Sequence, residues 1–224
     1  MNKAGILELI ARCGLPEKVK ACLAGAASRT EGSAIKKALR KDPGGLLAGI
    51  ADLLGAAAAI LGLPGESALF VTGFNANNTA PDRFEAALAE LRAAVFLASQ
   101  GFEKLELVEQ SGSRTADLAG TRAGQRCVFE VCRLRDEGVP AGVKRLSSKY
   151  DKKISQVKVS RKKYGCALGG LVLLDGPLGF GPLVPDPALY VLAAEVRSGK
   201  GAASAEHLCL IRGNGYAVWP DWRG

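Results

Sequence analysis

Apolar residues recur at helical spacing through the first sixty positions, in four blocks separated by breakers. Ile6, Leu7, Leu9 and Ile10 make the first patch, which Gly14-Leu15-Pro16 ends. Pro16 suits the start of a second helix carrying Val19, Cys22 and Leu23. A third is expected over residues 33–39, closed by Asp42-Pro43-Gly44-Gly45. The fourth, residues 46–61, is almost wholly apolar. Asp52 interrupts it and it is short for a bilayer, so the pattern predicts the buried, Ala-rich central helix of a small bundle. Residues 67–72 read as a short strand. The polar stretch 75–81 is a connector, which divides the chain into an N-terminal helical segment, 1–74, and an α/β domain, 75–224.

Past the connector the pattern alternates between two periods. Phe84, Ala87, Leu88, Leu91, Val95 and Ala98 stripe a long helix that Asp82 would cap. A strand is expected at 102–108, then a hairpin whose arms are 115–119 and 126–133 around a turn at 120–125. Residues 136–140 form a loop. Residues 143–164 return to helical spacing, with Leu146, Tyr150, Ile154 and Val157 on one face. Leu171 to Leu174 is a buried strand, and the helix before it suggests a right-handed crossover. A Gly- and Pro-rich loop covers 176–187. Strands are expected at 189–196, 207–211 and 216–219, the last two joined by the hairpin turn Gly213-Asn214-Gly215. The whole predicts an α/β core with a mixed sheet.

Composition narrows the chemistry. A chain of 224 residues, 48% hydrophobic and 23% charged, has the make-up of a globular protein with one good core. Its six cysteines include no CxxC pair and mostly lie in apolar runs. They predict buried thiols in a reducing compartment, not a disulfide framework or a zinc site. With His207 the single histidine, a His-based metal centre or a Ser-His-Asp triad is a poor fit. Glu8 and Arg12 break the N-terminal apolar run, which argues against a signal peptide and for the cytoplasm. The net charge of +8 is concentrated: residues 144–164 hold nine basic side chains against Asp151 alone, a local +8. Like charges at i,i+4 destabilise a helix, whereas phosphate contacts would repay that cost by counterion release. Lys144, Arg145, Lys149, Lys152, Lys153, Lys158, Arg161, Lys162 and Lys163 are therefore candidate nucleic-acid contacts, and no membrane partner is expected.

The hairpin carries the candidate site. Glu130 and Cys132 share one strand face, Phe129 and Val131 the other, and Asp117 sits between the apolar Ala116 and Leu118. Paired carboxylates on neighbouring strands repel unless a hard cation such as Mg2+ or Mn2+ relieves them. Against this stands a solvated sheet face, where alternating charge is ordinary. The loop lysine Lys200 lacks phosphate-loop spacing, and Trp219 and Trp222 read as packing residues.

A helix with Glu90 (or Glu85), then Gly101-Phe102, Asp117 and Phe129-Glu130-Val131 resembles the core motif of the PD-(D/E)XK nuclease superfamily over residues 82–175. The spacing is most similar to archaeal Holliday-junction resolvases and restriction-endonuclease-like proteins. The resemblance implies an α-β-β-β-α-β core and metal ligation by Asp117, Glu130 and Glu90, with a main-chain carbonyl near Val131. It also implies phosphodiester hydrolysis of DNA, and leaves a homodimer open. One position departs: Cys132 stands where the family has lysine. Arg133 points to the opposite face, so the missing cation would come from the following helix, from Lys149, Lys152 or Lys153, with Gln156 a further catalytic candidate. The competing expectations are a binding module without catalysis and a protein-protein adaptor working through its N-terminal helices.

Overall fold

Two residues with positive φ, Ala123 at 49° and Gly124 at 75°, turn the central hairpin between Arg122 and Gln125. That backbone is tighter than the six-residue turn expected at 120–125, and the strands it joins are correspondingly longer. The structure, a computed structural model, describes residues 2–29, 33–63, 67–74, 81–108, 116–134, 139–198 and 206–222. The connector 75–80, Thr115, positions 136–138 of the expected loop and Lys200 lie outside the described residues.

From the hairpin the sheet grows both ways. Strands β1 (Glu103–Leu107), β2 (Leu118–Arg122) and β3 (Gln125–Arg133) pair antiparallel in sequence order. Helix α7 (Val143–Tyr164) then crosses over to β4 (Leu168–Leu178), which pairs parallel to β3. Beyond it lie β6 (Glu206–Gly213), β7 (Gly215–Trp219) and the short β5 (Val184–Pro185), giving seven strands in the order β1-β2-β3-β4-β6-β7-β5. The chain is thus mixed α/β.

Side-chain alternation sorts the sheet into two faces. Helix α6 (Pro81–Ser99) covers one, packing Phe96 and Leu97 with Phe129, Val172 and Cys209. The other is covered by α7 and α8 (Pro187–Arg197), whose Leu146, Tyr150, Leu189 and Val196 meet Cys132, Leu171 and Leu208. Residues 189–196 are therefore helix rather than the expected strand. Asp186 caps that helix by accepting from the N–H groups of Ala188 and Leu189, and Pro187 occupies its first turn. The expected strand at 67–72 is likewise a helix, α5 (Ser67–Val71), with Leu69 fully buried.

Helices α1 (Lys3–Arg12), α2 (Glu17–Ser28), α3 (Ala34–Lys41) and α4 (Pro43–Leu61) form one apolar cluster with α5 and with Phe84, Leu88 and Leu91 of α6. Among the described residues α4 is the helix long and apolar enough to cross a membrane. It is not buried all round as expected: Leu46, Ile50, Leu53 and Leu54 face the cluster, while Ala48, Ala51, Asp52, Gly55 and Ala59 are exposed. Gly49 lets α4 reach the loop after β4, since a Cβ there would stand 2.5 Å from Phe180 Cβ. The six thiols are free, and all but Cys13 are buried.

Candidate active site

The hairpin brings the two acids into one neighbourhood. Leu118 pairs with Phe129, and the Asp117 N–H, one position back, also donates to the Phe129 carbonyl, at 2.9 Å. Asp117 Oδ2 accepts from the Val131 N–H at 2.7 Å, which fixes the carboxylate against the strand. Glu130 is 3% exposed and faces α7, the same side as Cys132.

Lys153 meets this pair from α7. Its Nζ lies 2.5 Å from Glu130 Oε1. Burial pushes the Glu130 carboxyl up, and the Lys153 ammonium opposes that. Burial also pulls on Lys153, but Glu130, Asp117 and Cys132 together outweigh it and leave its amine above the ordinary lysine value. The amine therefore stays charged. Of the three candidate lysines, Lys153 is thus the one bonded to Glu130. Lys149, one turn earlier, reaches the Cys132 sulfur, whose pKa is raised by burial despite the two lysines near it. Lys152 is exposed, and Gln156 makes no hydrogen bond with Asp117, Glu130 or Lys153.

The two helix acids separate. Glu90 is half-buried on α6, and its carboxyl is pushed up to about 9, first by burial and then by the charges of Asp117 and Glu130. Glu85, the fallback position, belongs to a different network. It is 3% exposed, accepts from the Ile35 N–H at 3.1 Å and forms an ion pair with Arg133 Nη1. Arg133 does project away from Glu130.

Two ties set the pitch of α7. Asp175 Oδ2 accepts from the Ala141 N–H at 3.0 Å and from Arg212 Nε at 2.9 Å, pinning the chain just before the helix. At the far end Arg161 bonds Glu206 Oε1 at 2.5 Å and the Ala167 carbonyl at 2.7 Å. Arg161, one of the nine cations expected on phosphate, is therefore engaged internally. Lys144, Lys152, Lys158, Lys162 and Lys163 are the exposed ones. Trp222 packs edge-on to Phe102 and Phe129, and Trp219 to Tyr190.

Among the described residues no group of three or more His, Cys, Asp or Glu side chains stands close enough together to hold a metal ion as they lie. Two observations nevertheless fit a hard divalent cation. Glu130 Oε2 is buried with no hydrogen-bond partner, and the Glu90 carboxyl is pushed up, first by burial and then by the charges of Asp117 and Glu130. Oxygen donors and surplus negative charge are what such a cation relieves. Comparison with family models, curated proteins and solved structures finds no match.

Two expectations follow. Glu90 keeps in the folded state a proton that the unfolded chain loses near pH 4.5. Its contribution to stability is full below that pH and is lost as pH rises toward about 9. Glu90→Gln should remove this slope, at most about 1.4 kcal/mol per pH unit, in urea unfolding measured from pH 5 to 9. A variant with the wild-type slope would mean that Glu90 does not carry the proton. Cys132→Lys puts an ammonium at a 7%-exposed position already flanked by Lys149 and Lys153. It should lower stability by roughly 2–4 kcal/mol and leave any cleavage no faster, read by thermal unfolding and by nuclease assay. A stable variant that gains activity would show that Lys153 is not the working cation.

Proposed function

We propose that the chain is a Mg2+- or Mn2+-dependent nuclease acting on DNA through a restriction-endonuclease-like core, with Lys153 supplying the cation that Cys132 does not. The reading is carried by one observation: the Lys153 amine bonded to Glu130, its charge also felt by Asp117. The element order α6-β1-β2-β3-α7-β4 supports the core assignment. Asp117, Glu130 and Glu90 would hold the metal, which on binding would polarise a phosphate and lower the pKa of a water.

The chain's own residues do the rest. The Val131 N–H orients Asp117, and Lys153 holds positive charge beside Glu130, where it stabilises charge developing on the phosphate. Glu90 must release its proton for its carboxylate to act as a ligand, so activity should rise with pH through the neutral range. The exposed cations of α7 hold the phosphate backbone without reading sequence. Six free thiols suit a cytoplasmic setting.

The test is cleavage of duplex, branched and single-stranded DNA with Mg2+, with Mn2+ and with chelator. We expect cutting of at least one substrate, dependent on metal. Cutting of none leaves the competing reading, a nucleic-acid-binding module without catalysis. Binding gives a separate check. Neutralising the exposed Lys152, Lys158 and Lys162 together should weaken affinity uniformly across sequences and flatten the salt dependence by about three contacts' worth of slope. Unchanged affinity in the triple variant would favour the adaptor reading.

A further inference from the structure

The two rims of the sheet differ. At one, β1 carries Glu103, Lys104 and Glu106, and its register with β2 shifts between Glu103 and Glu106. Charge and a bulge keep such an edge from pairing with another chain. At the other rim, β5 covers only Gly215 and Tyr216 of β7. The rest of β7, Ala217-Val218-Trp219, is regular and carries no charge.

Hydrogen bonds fix what this stretch presents. The Asp186 N–H donates to the Tyr216 carbonyl at 2.8 Å, so Tyr216 turns its backbone groups outward, toward β5. Those groups change sides at every residue, so Val218 turns its N–H and carbonyl the same way. There the neighbouring chain has already left: Asp186 leads into α8, and its carbonyl accepts from the Tyr190 N–H at 3.0 Å. Val218 is 7% exposed, yet among the described residues no strand lies opposite those two groups. Buried backbone groups without a partner cost free energy.

A cavity of about 1040 Å3 lies along this rim, lined by Ser99 of α6 and Tyr190 of α8 and so set between the two helical layers. Tyr190, Val191, Tyr216, Val218 and Trp222 give it apolar and aromatic walls. Tyr190 and Val191 are 41% and 57% exposed, and Val184 of β5 is 55% exposed. Large apolar side chains gathered in the open mark a place of contact.

We propose that this rim binds an extended peptide segment of another protein, added as a strand beside β7 where β5 stops. The Val218 N–H and carbonyl supply main-chain bonds, and the segment's side chains fall alternately toward α6 and α8. The cavity exceeds the roughly 300–1,000 Å3 that small ligands take, which leaves room for several residues. Charge disfavours a nucleic-acid strand here. Asp186 and Asp221 line the cavity, and the one cation among its described lining residues, Arg122, donates to the Trp222 carbonyl at 3.0 Å. On a chain of net charge +8, two carboxylates favour a segment that carries a Lys or Arg. The rim shares no residue with the Glu130–Lys153 site, so it does not rest on the nuclease reading.

Random short peptides displayed on phage are selected against the full chain, and the enriched sequences are labelled for anisotropy. We expect apolar residues at alternate positions with a Lys or Arg among them. Methylating the peptide's amide nitrogens one at a time should weaken binding about tenfold at every second position and little between. Val191→Asp, at an exposed site, should weaken it by about tenfold or more. Val218→Pro removes the outward N–H, which the ladder with β6 does not use, and should act likewise. If that variant does not fold, Val191→Asp carries the test. In amide exchange the Val218 N–H should be faster than that of Ala217 and should slow when peptide is added. No enriched peptide, or binding indifferent to Val191→Asp, overturns the proposal. So does equal sensitivity to methylation at successive amides, which means a bound shape other than a strand. A dimer in light scattering that Val191→Asp disperses assigns the rim to a second copy and overturns the proposal too.

Discussion

Replacing Lys153 by alanine is expected to slow metal-dependent DNA cleavage by on the order of a hundredfold or more, with DNA affinity changed by no more than about threefold. The asymmetry follows from where the amine sits. Its Nζ is 2.5 Å from Glu130 Oε1 and its charge is felt by Asp117, whereas Lys144, Lys152, Lys158, Lys162 and Lys163 remain exposed to hold the backbone. Lys149→Ala and Lys152→Ala are the controls. The first removes the cation beside Cys132 and the second an exposed one, so neither should match the loss at position 153. Lys153→Arg keeps the charge but not the shape and should fall between. The substitution also leaves Glu130 buried without its partner, so unfolding midpoints must accompany the rates. Wild-type cleavage by a folded Lys153→Ala protein would remove the catalytic role assigned to this lysine and leave Lys149 as the next candidate.

The acids were legible because strand alternation is a two-state pattern. Once residues 126–133 read as a strand, Glu130 and Cys132 had to share a face, with Asp117 on the adjoining arm; the register between the arms was not legible, because the turn at Ala123-Gly124 is tighter than the one expected at 120–125. The partner lysine was legible only as a shortlist. Lys149, Lys152 and Lys153 differ by fractions of a helical turn, and what selects among them is the pitch of α7. That pitch is set by Asp175 on Ala141 and by Arg161 on Glu206, contacts 34 and 45 residues apart. The same holds for Glu85 and Glu90, whose roles depend on what faces each of them. Arg133, forced away from Glu130 by alternation, needed an acid across the sheet, and that signal alone could have assigned Glu85 to it.

Residues 189–196 misread for a different reason. Leu-Tyr-Val-Leu is good strand composition, but the Asp186-Pro187 start is a helix signal, and packing against β6 and β7 follows the cap. Residues 67–72 are too short for either period to be distinguished. The basic residues of α7 were visible as charge, but not that Arg133 at the end of β3 and Lys144, Lys149 and Lys152 of α7 line one cleft, because its wall joins a strand end to a helix start.

Glu85→Ala is expected to cost about 3–5 kcal/mol of stability, because it breaks a buried ion pair from one side. Glu85 is 3% exposed and Arg133 has a side chain 8% exposed, so removing one member strands the other away from water. Arg133 already has Nε and Nη2 unpartnered, so Nη1 would lose the acceptor that offsets its desolvation. The same carboxylate accepts from the Ile35 N–H in the first turn of α3, so its loss also frees an N–H at a helix start next to the Ser33 cap on Lys36. Because Glu85 joins α3 to β3, the damage should spread from the sheet into the helical cluster. Urea midpoints read the total, and amide exchange over residues 34–41 reads the local part, with the Ile35 amide expected to lose protection. Replacing both partners by apolar residues, Glu85→Leu with Arg133→Met, should recover much of the loss, because the cost lies in the stranded charge more than in the missing attraction. A Glu85→Ala protein within about 0.5 kcal/mol of the wild type would mean that Arg133 finds water or another acceptor without disturbing the sheet.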